Sequence, residues 1–224
     1  MDEPAILHAD NHVLALAKPA GLPVVPDASG DASLLDWAKA WVKREHAKPG
    51  AVYLGVVHRL DRPVSGVVVF ARTSKAAERL SAQFRERGVE KVYLGVVERR
   101  PASDAGRVEQ WLDKDESRNV VRAYAAPRAG ALHALTEWRW LRGDGPALLE
   151  LAPETGRPHQ LRSACRALAC PLLGDLKYGA KEPLADASIA LHARRLAFDH
   201  PTRRERVVLE VEPPQRAWWT LARR

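Results

Sequence analysis

The chain has 224 residues and a formal net charge of +7, with 46% hydrophobic and 28% charged residues. That length admits one large domain or two small ones with a sizeable core, and the composition excludes a disordered or fibrous chain. No apolar run approaches the roughly 20 residues of a membrane span. The acidic start, Met1-Asp2-Glu3-Pro4, lacks the basic-then-apolar pattern of a secretory signal, so the expected location is the cytoplasm.

Residues 5–9 and 13–17 read as two short strands around the turn Asp10-Asn11. Lys18-Pro19-Ala20-Gly21-Leu22-Pro23 must turn, because two prolines and a glycine exclude regular structure. Residues 24–33 form a loop. Ser33 or Asp31 then caps a helix to about residue 46, with Leu34, Ala38, Trp41 and Val42 on one face and a stop at Lys48-Pro49-Gly50. Residues 52–57 read as a strand leading into His58-Arg59-Leu60-Asp61-Arg62-Pro63-Val64-Ser65-Gly66. The run after it, residues 67–71, is apolar on both faces and so belongs centrally in a sheet.

Thr73 caps a second helix over residues 74–87, with Ala77, Leu80 and Phe84 as its buried stripe and Gly88 as its stop. Residues 90–97 form a strand carrying Lys91 and Tyr93. Residues 102–106 read as a loop, and strands follow over 120–125, 132–141 and 148–153. A helix opens at Gly156, with Pro158 in its first turn, and runs to about residue 169. Strands over 191–198 and 207–211 precede a short C-terminal helix with Trp218 and Trp219. Strands dominate without strict alternation with helices. The expected fold is α+β, a mixed, largely antiparallel central sheet with packed helices, as a single domain over residues 1–224.

Residues 1–50 hold five Lys/Arg against seven Asp/Glu, the remainder 30 against 21, and arginine outnumbers lysine 26 to 9. Arginine grips phosphate bidentately and stacks on bases, so such a surface admits nucleic acid. A solvated surface in which arginine has replaced lysine explains the count equally well. Cys165 and Cys170, with no second pair, fit neither a disulfide framework nor zinc and read as buried, reduced residues.

Asp61 lies between Arg59 and Arg62. An aspartate so placed is commonly a surface ion pair. At the edge of a buried strand, with Pro63 and Gly66 restricting the turn, it can instead be a nucleophile or base held ionised by a guanidinium. If a helix begins in Thr155-Gly156-Arg157-Pro158-His159-Gln160-Leu161-Arg162, then His159, Arg162 and Arg166 share one face, suited to an anion; a cationic surface helix is the other reading. Tyr93 is either a core-edge aromatic or a group that stacks on a base. The histidines show no close ligand spacing, which makes a metal site a weak reading.

In this order the segments resemble the RluA-type family of RNA pseudouridine synthases. His58 to Gly66 is similar to the nucleophile motif, Lys91-Val92-Tyr93 to the Lys-x-Tyr element, and Thr155 to Arg162 with Pro171 to Asp175 and Tyr178-Gly179 to the third motif. The opening strand pair with Lys18-Pro19-Ala20-Gly21 and the closing segments Leu191-His192-Ala193 and Phe198-Asp199-His200-Pro201 also match. The resemblance implies that Asp61 attacks a uridine in ribosomal or transfer RNA, that Tyr93 stacks on the base and aids proton transfer, and that Arg162, rather than the adjacent Arg62, pairs with Asp61. It implies that Arg59 helps extrude the nucleotide and that no metal or cofactor is needed. His58, Arg62, Arg157, His159 and Arg166 join Arg59 as expected RNA contacts. Val64, Ala164 and Ala169 depart from the family pattern, where Thr, His and Gly are usual. The net acidity of residues 1–50 implies no separate N-terminal RNA-binding domain. A non-catalytic RNA-binding protein on the same scaffold and a metal-dependent hydrolase are the competing readings.

Overall fold

The structure is a computed structural model that describes residues 3–47, 50–115, 117, 119–203 and 205–223. The expected helix stop at Lys48-Pro49 lies outside the described residues. In chain order the elements are β1 (Ala5–Ala9), β2 (Val13–Lys18), α1 (Leu34–Glu45), β3 (Gly55–Val56), β4 (Ser65–Ala71), α2 (Ser74–Arg85), β5 (Glu90–Val97) and β6 (Ala105–Asp115). Then come β7 (Val120–Tyr124), β8 (Leu132–Arg142), β9 (Ala147–Pro153), α3 (Gln160–Ala167), β10 (Leu191–Asp199) and β11 (Arg206–Glu210). Leu176–Tyr178 and Ala217–Arg223 are 3-10 turns. The chain makes two compact units, Met1–Val89 with Arg195–Glu212, and Glu90–Arg194 with Pro213–Arg224. The architecture is α+β, as the sequence predicts.

In the first unit β2 pairs antiparallel with β1 and β4, placing Val13 opposite Ala71 and Lys18 opposite Gly66. All seven residues of β4 are buried, because both faces of the strand are covered. One face brings Val13, Ala15, Val67 and Val69 against Ala76 and Leu80 of α2 and Leu196 and Phe198 of β10. Each valine, leucine and phenylalanine among them contributes about 1.5–3 kcal/mol through burial. Both helices start where local chemistry dictates. Ser33 accepts the Asp36 N–H while the Asp36 side chain accepts the Ser33 N–H, and Thr73 accepts the Ala76 N–H.

Helix α2 ends at Arg85, and Arg87 rather than Gly88 takes the left-handed turn, with φ +62°. The Gly88 N–H then closes on the Gln83 carbonyl. Only Gly55–Val56 of the predicted 52–57 strand pairs with β4. A Cβ at Gly55 would stand 2.7 Å from that of Ala77, so the strand approaches α2 too closely for any other residue.

The second unit is an antiparallel sheet in the order β5, β9, β8, β6, β7. Helix α3 packs on β6, β8 and β9. Leu94, Val96, Leu148, Ala190 and Trp219 form one core cluster, and Leu112, Val121, Ala134 and Tyr178 another. Strand β6 runs where the sequence suggests a loop over 102–106 and no strand after it. Helix α3 starts at Gln160, not at Gly156, because His159 adopts φ +51° and leaves Pro158 outside the helix. Every residue from Gln160 to Cys165 is buried, so α3 is not a surface helix with one cationic face. Cys165 and Cys170 are free and buried, as expected, and burial pushes both thiols up. Among the described residues no helix is long and apolar enough to cross a membrane.

Candidate active site

Asp61 is half-buried in the first unit, at the head of a turn closed by the Val64 N–H on the Asp61 carbonyl at 3.0 Å. This turn is tied to Lys18-Pro19-Ala20-Gly21 in both directions. The Gly21 N–H donates to the Arg62 carbonyl at 2.8 Å, and Arg62 Nε donates to the Gly21 carbonyl at 2.9 Å. Lys18 Nζ donates to the carbonyls of Pro19 (2.9 Å), Leu22 (2.7 Å) and Arg62 (3.1 Å).

Lys18 is 2% exposed, so its charge sits inside the protein. Burial pushes its pKa down to about 7; the Asp61 carboxylate pulls it back up and the Arg62 guanidinium pushes it further down. Three carbonyls meet the three donors of an ammonium, so the charged form is hydrogen-bonded at every N–H.

The Arg62 guanidinium turns to the 24–33 loop. Its Nη1 donates to Ser29 Oγ at 3.0 Å, and it pairs with Asp31 and, at 3.7 Å, with Asp27. The adjacent arginine therefore braces the loop. His58 accepts the Val69 N–H on Nε2 at 3.0 Å and stacks on Phe84, ring centroids 4.7 Å apart. That bond fixes the neutral ring with its proton on Nδ1. Gly66, opposite Lys18, has φ +124°, which excludes a side chain without strain at the entry to β4. Arg59 is exposed.

The second unit holds Tyr93 and Arg162. Directly paired residues share a face of an antiparallel sheet. Tyr93 pairs with Leu151, Leu151 with Trp138, and Trp138 with Gly106. Thr136 and Gln110 lie on that same face, two positions along β8 and four along β6. Helix α3 covers it, with Gln160 Nε2 donating to Thr136 Oγ1 at 3.0 Å and Ser163 Oγ to Gln110 Oε1 at 3.1 Å. Tyr93 and the helix that carries Arg162 thus occupy one side of this sheet.

Gln160 locks the approach to α3. Its oxygen accepts from Thr155 Oγ1 (2.7 Å) and the Arg157 N–H (3.0 Å), and its nitrogen also donates to the Leu135 carbonyl (2.9 Å). Lys91, two residues before Tyr93, donates to the Thr155 carbonyl at 3.1 Å. Arg157 Nε donates to the His133 carbonyl at 3.0 Å.

Arg162 is 5% exposed and meets Asp175 bidentately, Nε to Oδ2 at 2.8 Å and Nη2 to Oδ1 at 2.7 Å. Its guanidinium lies 4.9 Å above the Tyr178 ring. The Tyr178 hydroxyl accepts the Val121 N–H at 2.9 Å and lies 2.8 Å from His159 Nδ1. One arginine is thus oriented by a carboxylate in its plane and an aromatic ring below it. Arg166, one turn on, is exposed.

The profile of the RNA pseudouridylate synthase family matches residues 12–167, a span that includes Lys18, Asp61, Tyr93 and Arg162. The chain belongs to this family. It is 32% identical over 200 residues to the ribosomal large subunit pseudouridine synthase D of Borreliella burgdorferi, covering 87% of this chain and 61% of that one. It is 32% identical to the tRNA pseudouridine synthase C of Haemophilus ducreyi, covering 92% and 89%. Among solved structures, Human RNA Pseudouridylate Synthase Domain Containing 4 matches with a TM-score of 0.78 at 28% identity, over 94% of this chain and 88% of that one.

Two departures from the family pattern now have a setting. Val64 is 2% exposed, so a methyl stands inside the protein in place of the usual hydroxyl and needs no hydrogen-bond partner there. Ala169 has φ +54° after α3, where the Cys170 N–H closes on the Cys165 carbonyl; this is the position a glycine fills without strain. Lys18, Gln160, Asp175 and Tyr178 lie within the motifs, but their types and spacing alone point to no role. Each has a partner 13 to 57 residues away, invisible in a linear reading.

Proposed function

We propose that this chain isomerises uridine to pseudouridine in structured RNA, ribosomal or transfer, in the cytoplasm. Asp61, Tyr93 and Arg162 act on one uridine. Asp61 attacks the nucleotide at the sugar or the base, the glycosidic bond breaks and the uracil rotates; C5 then joins the ribose, the bond to Asp61 breaks, the C5 proton leaves and N1 takes up a proton. Tyr93 stacks on the base and assists proton transfer. Arg162, held in plane by Asp175, keeps Asp61 ionised and oriented. The two compact units serve as one catalytic domain. Arg59 helps extrude the nucleotide, and Arg157 and Arg166 contact the RNA. His58, Arg62 and His159 join them as RNA contacts and also brace the site through Val69, Gly21 and Tyr178.

The observation that carries this reading is the Asp61 turn, bonded on both sides to a buried lysine and a glycine turn. Nucleophilic attack requires a carboxylate held in a fixed position, which a solvated surface ion pair does not need. The relatives' names support the substrate class, since one is named for ribosomal and another for transfer RNA. The test is to map pseudouridine across total RNA from cells with the gene, without it, and with Asp61→Asn. One or more uridines lose modification in the last two. Unchanged maps in all three would leave a non-catalytic RNA-binding protein as the reading.

A further inference from the structure

Several arginines of the second unit are paired with a carboxylate. Arg100, Arg107, Arg122, Arg139 and Arg162 each make an ion pair. Arg99, Arg166 and Lys177 make none among the described residues, and Lys177 bonds only the Asn119 carbonyl, at 3.4 Å. These three come from different elements: the residues after β5, the last turn of α3, and the 3-10 turn Leu176–Tyr178. They nevertheless line one concavity of about 420 Å³ whose wall contains no acidic residue.

Cations gathered without a counter-charge repel one another, so the arrangement suits a bound anion. Leu176, on the same wall, is 54% exposed, a large apolar side chain presented beside the three charges. An inorganic anion alone has no use for it, whereas a nucleotide carries both a phosphate and an apolar face.

The wall has a second property. Leu176 and Lys177 are exposed on the 3-10 turn whose buried residues, Asp175 before it and Tyr178 at its end, hold Arg162. A ligand in the concavity presses on the outside of the segment that orients that arginine.

We propose that this concavity docks the phosphate backbone of the RNA substrate, with the ribose or base of one nucleotide against Leu176. The proposal rests on the reading of the chain as an RNA-modifying enzyme and adds a specific grip to it. Guanidinium groups of Arg99 and Arg166 take phosphate oxygens bidentately, and Lys177 adds a point charge.

The test uses the full chain with Asp61→Asn, which binds RNA without turning it over, and bulk transfer RNA and bulk ribosomal RNA as probes. Affinity is measured against salt concentration for this chain, for its charge-reversed form Arg99→Glu with Lys177→Glu, and for its charge-keeping form Arg99→Lys with Lys177→Arg. Charge reversal is expected to weaken binding at least about tenfold and to reduce the salt slope by about 1.5, two phosphate contacts' worth. The charge-keeping form retains the slope. Both substituted side chains are exposed, and the melting temperature of each form confirms that the fold is intact. An unchanged affinity and slope on charge reversal would overturn the proposal. Pseudouridine formation by the unsubstituted chain is scored separately, so loss of the catalytic reading and loss of the docking site give different results.

Discussion

Lys18 in the first unit and Arg162 in the second are both buried cations, 2% and 5% exposed, satisfied by different means. Lys18 gives all three donors to backbone carbonyls, and the Asp61 carboxylate acts on it through its field. Arg162 spends two donors on the side chain of Asp175, itself 1% exposed. Backbone acceptors cannot be removed by substitution, whereas a carboxylate can. The lysine arrangement is therefore open to failure only at Lys18, and the arginine arrangement at either partner.

The largest effect is expected where the difference is sharpest. Asp175→Ala leaves a guanidinium buried without its carboxylate and should cost about 3–5 kcal/mol, read as a lower urea midpoint. Adding Arg162→Met should restore most of that stability while pseudouridine formation stays absent. If the double variant is as unstable as the single one, burial of the charge is not the cause.

Gln160→Leu removes the side chain that satisfies Thr155, Arg157, Leu135 and Thr136 together. It should cost about 2–4 kcal/mol and slow catalysis, because the start of α3 loses its anchor.

Lys18→Met should cost less, about 1–3 kcal/mol, since three carbonyls lose donors while a desolvated charge disappears. Its distinctive readout is pH. Folded, Lys18 releases its proton near pH 7, while the unfolded chain holds it to 10.5. Between those values the unfolded state binds more protons, so stability climbs as pH rises through that window, and burial of the charge counts against the fold below it. Urea titrations across the window should show the climb in the unsubstituted chain and a flatter profile in Lys18→Met.

The smallest effect is a gain. Ala169→Gly relieves a positive φ and should stabilise the chain by about 0.5–1 kcal/mol, visible as a higher melting temperature.

Local chemistry made much of the fold legible. Thr73 marks the start of α2 to the residue, Ser33 or Asp31 brackets that of α1, and the apolar run after Gly66 identifies the buried strand β4. Strand β6 was missed because Ala-Gly-Arg-Val-Glu-Gln-Trp-Leu-Asp-Lys-Asp carries few apolar residues; its partners β7 and β8 on either side, not its composition, make it a strand. The start of α3 was misplaced because nothing in the sequence announces a left-handed His159. In the candidate site, Asp61, Tyr93 and Arg162 were visible through their motifs. The groups that hold them, Lys18 against the Arg62 carbonyl and Asp175 against Arg162, depend on chain segments meeting in three dimensions.

The cross-links between the lysine turn and the Asp61 turn have a consequence for the order of folding. Lys18 and Arg62 are 44 residues apart, and Gly21 and Arg62 are 41 apart. Helices α1 and α2 can begin from their own caps, but these bonds require that a long loop first be closed and its entropy cost met. On a growing chain the lysine emerges first and waits for its acceptor. Asp61 acquires its fixed geometry only once β2 and β4 have paired. A chain with its helices formed but those strands apart carries Asp61 without holding it in place, so any chemistry that depends on its position arrives late in folding and is lost early when the pairing loosens.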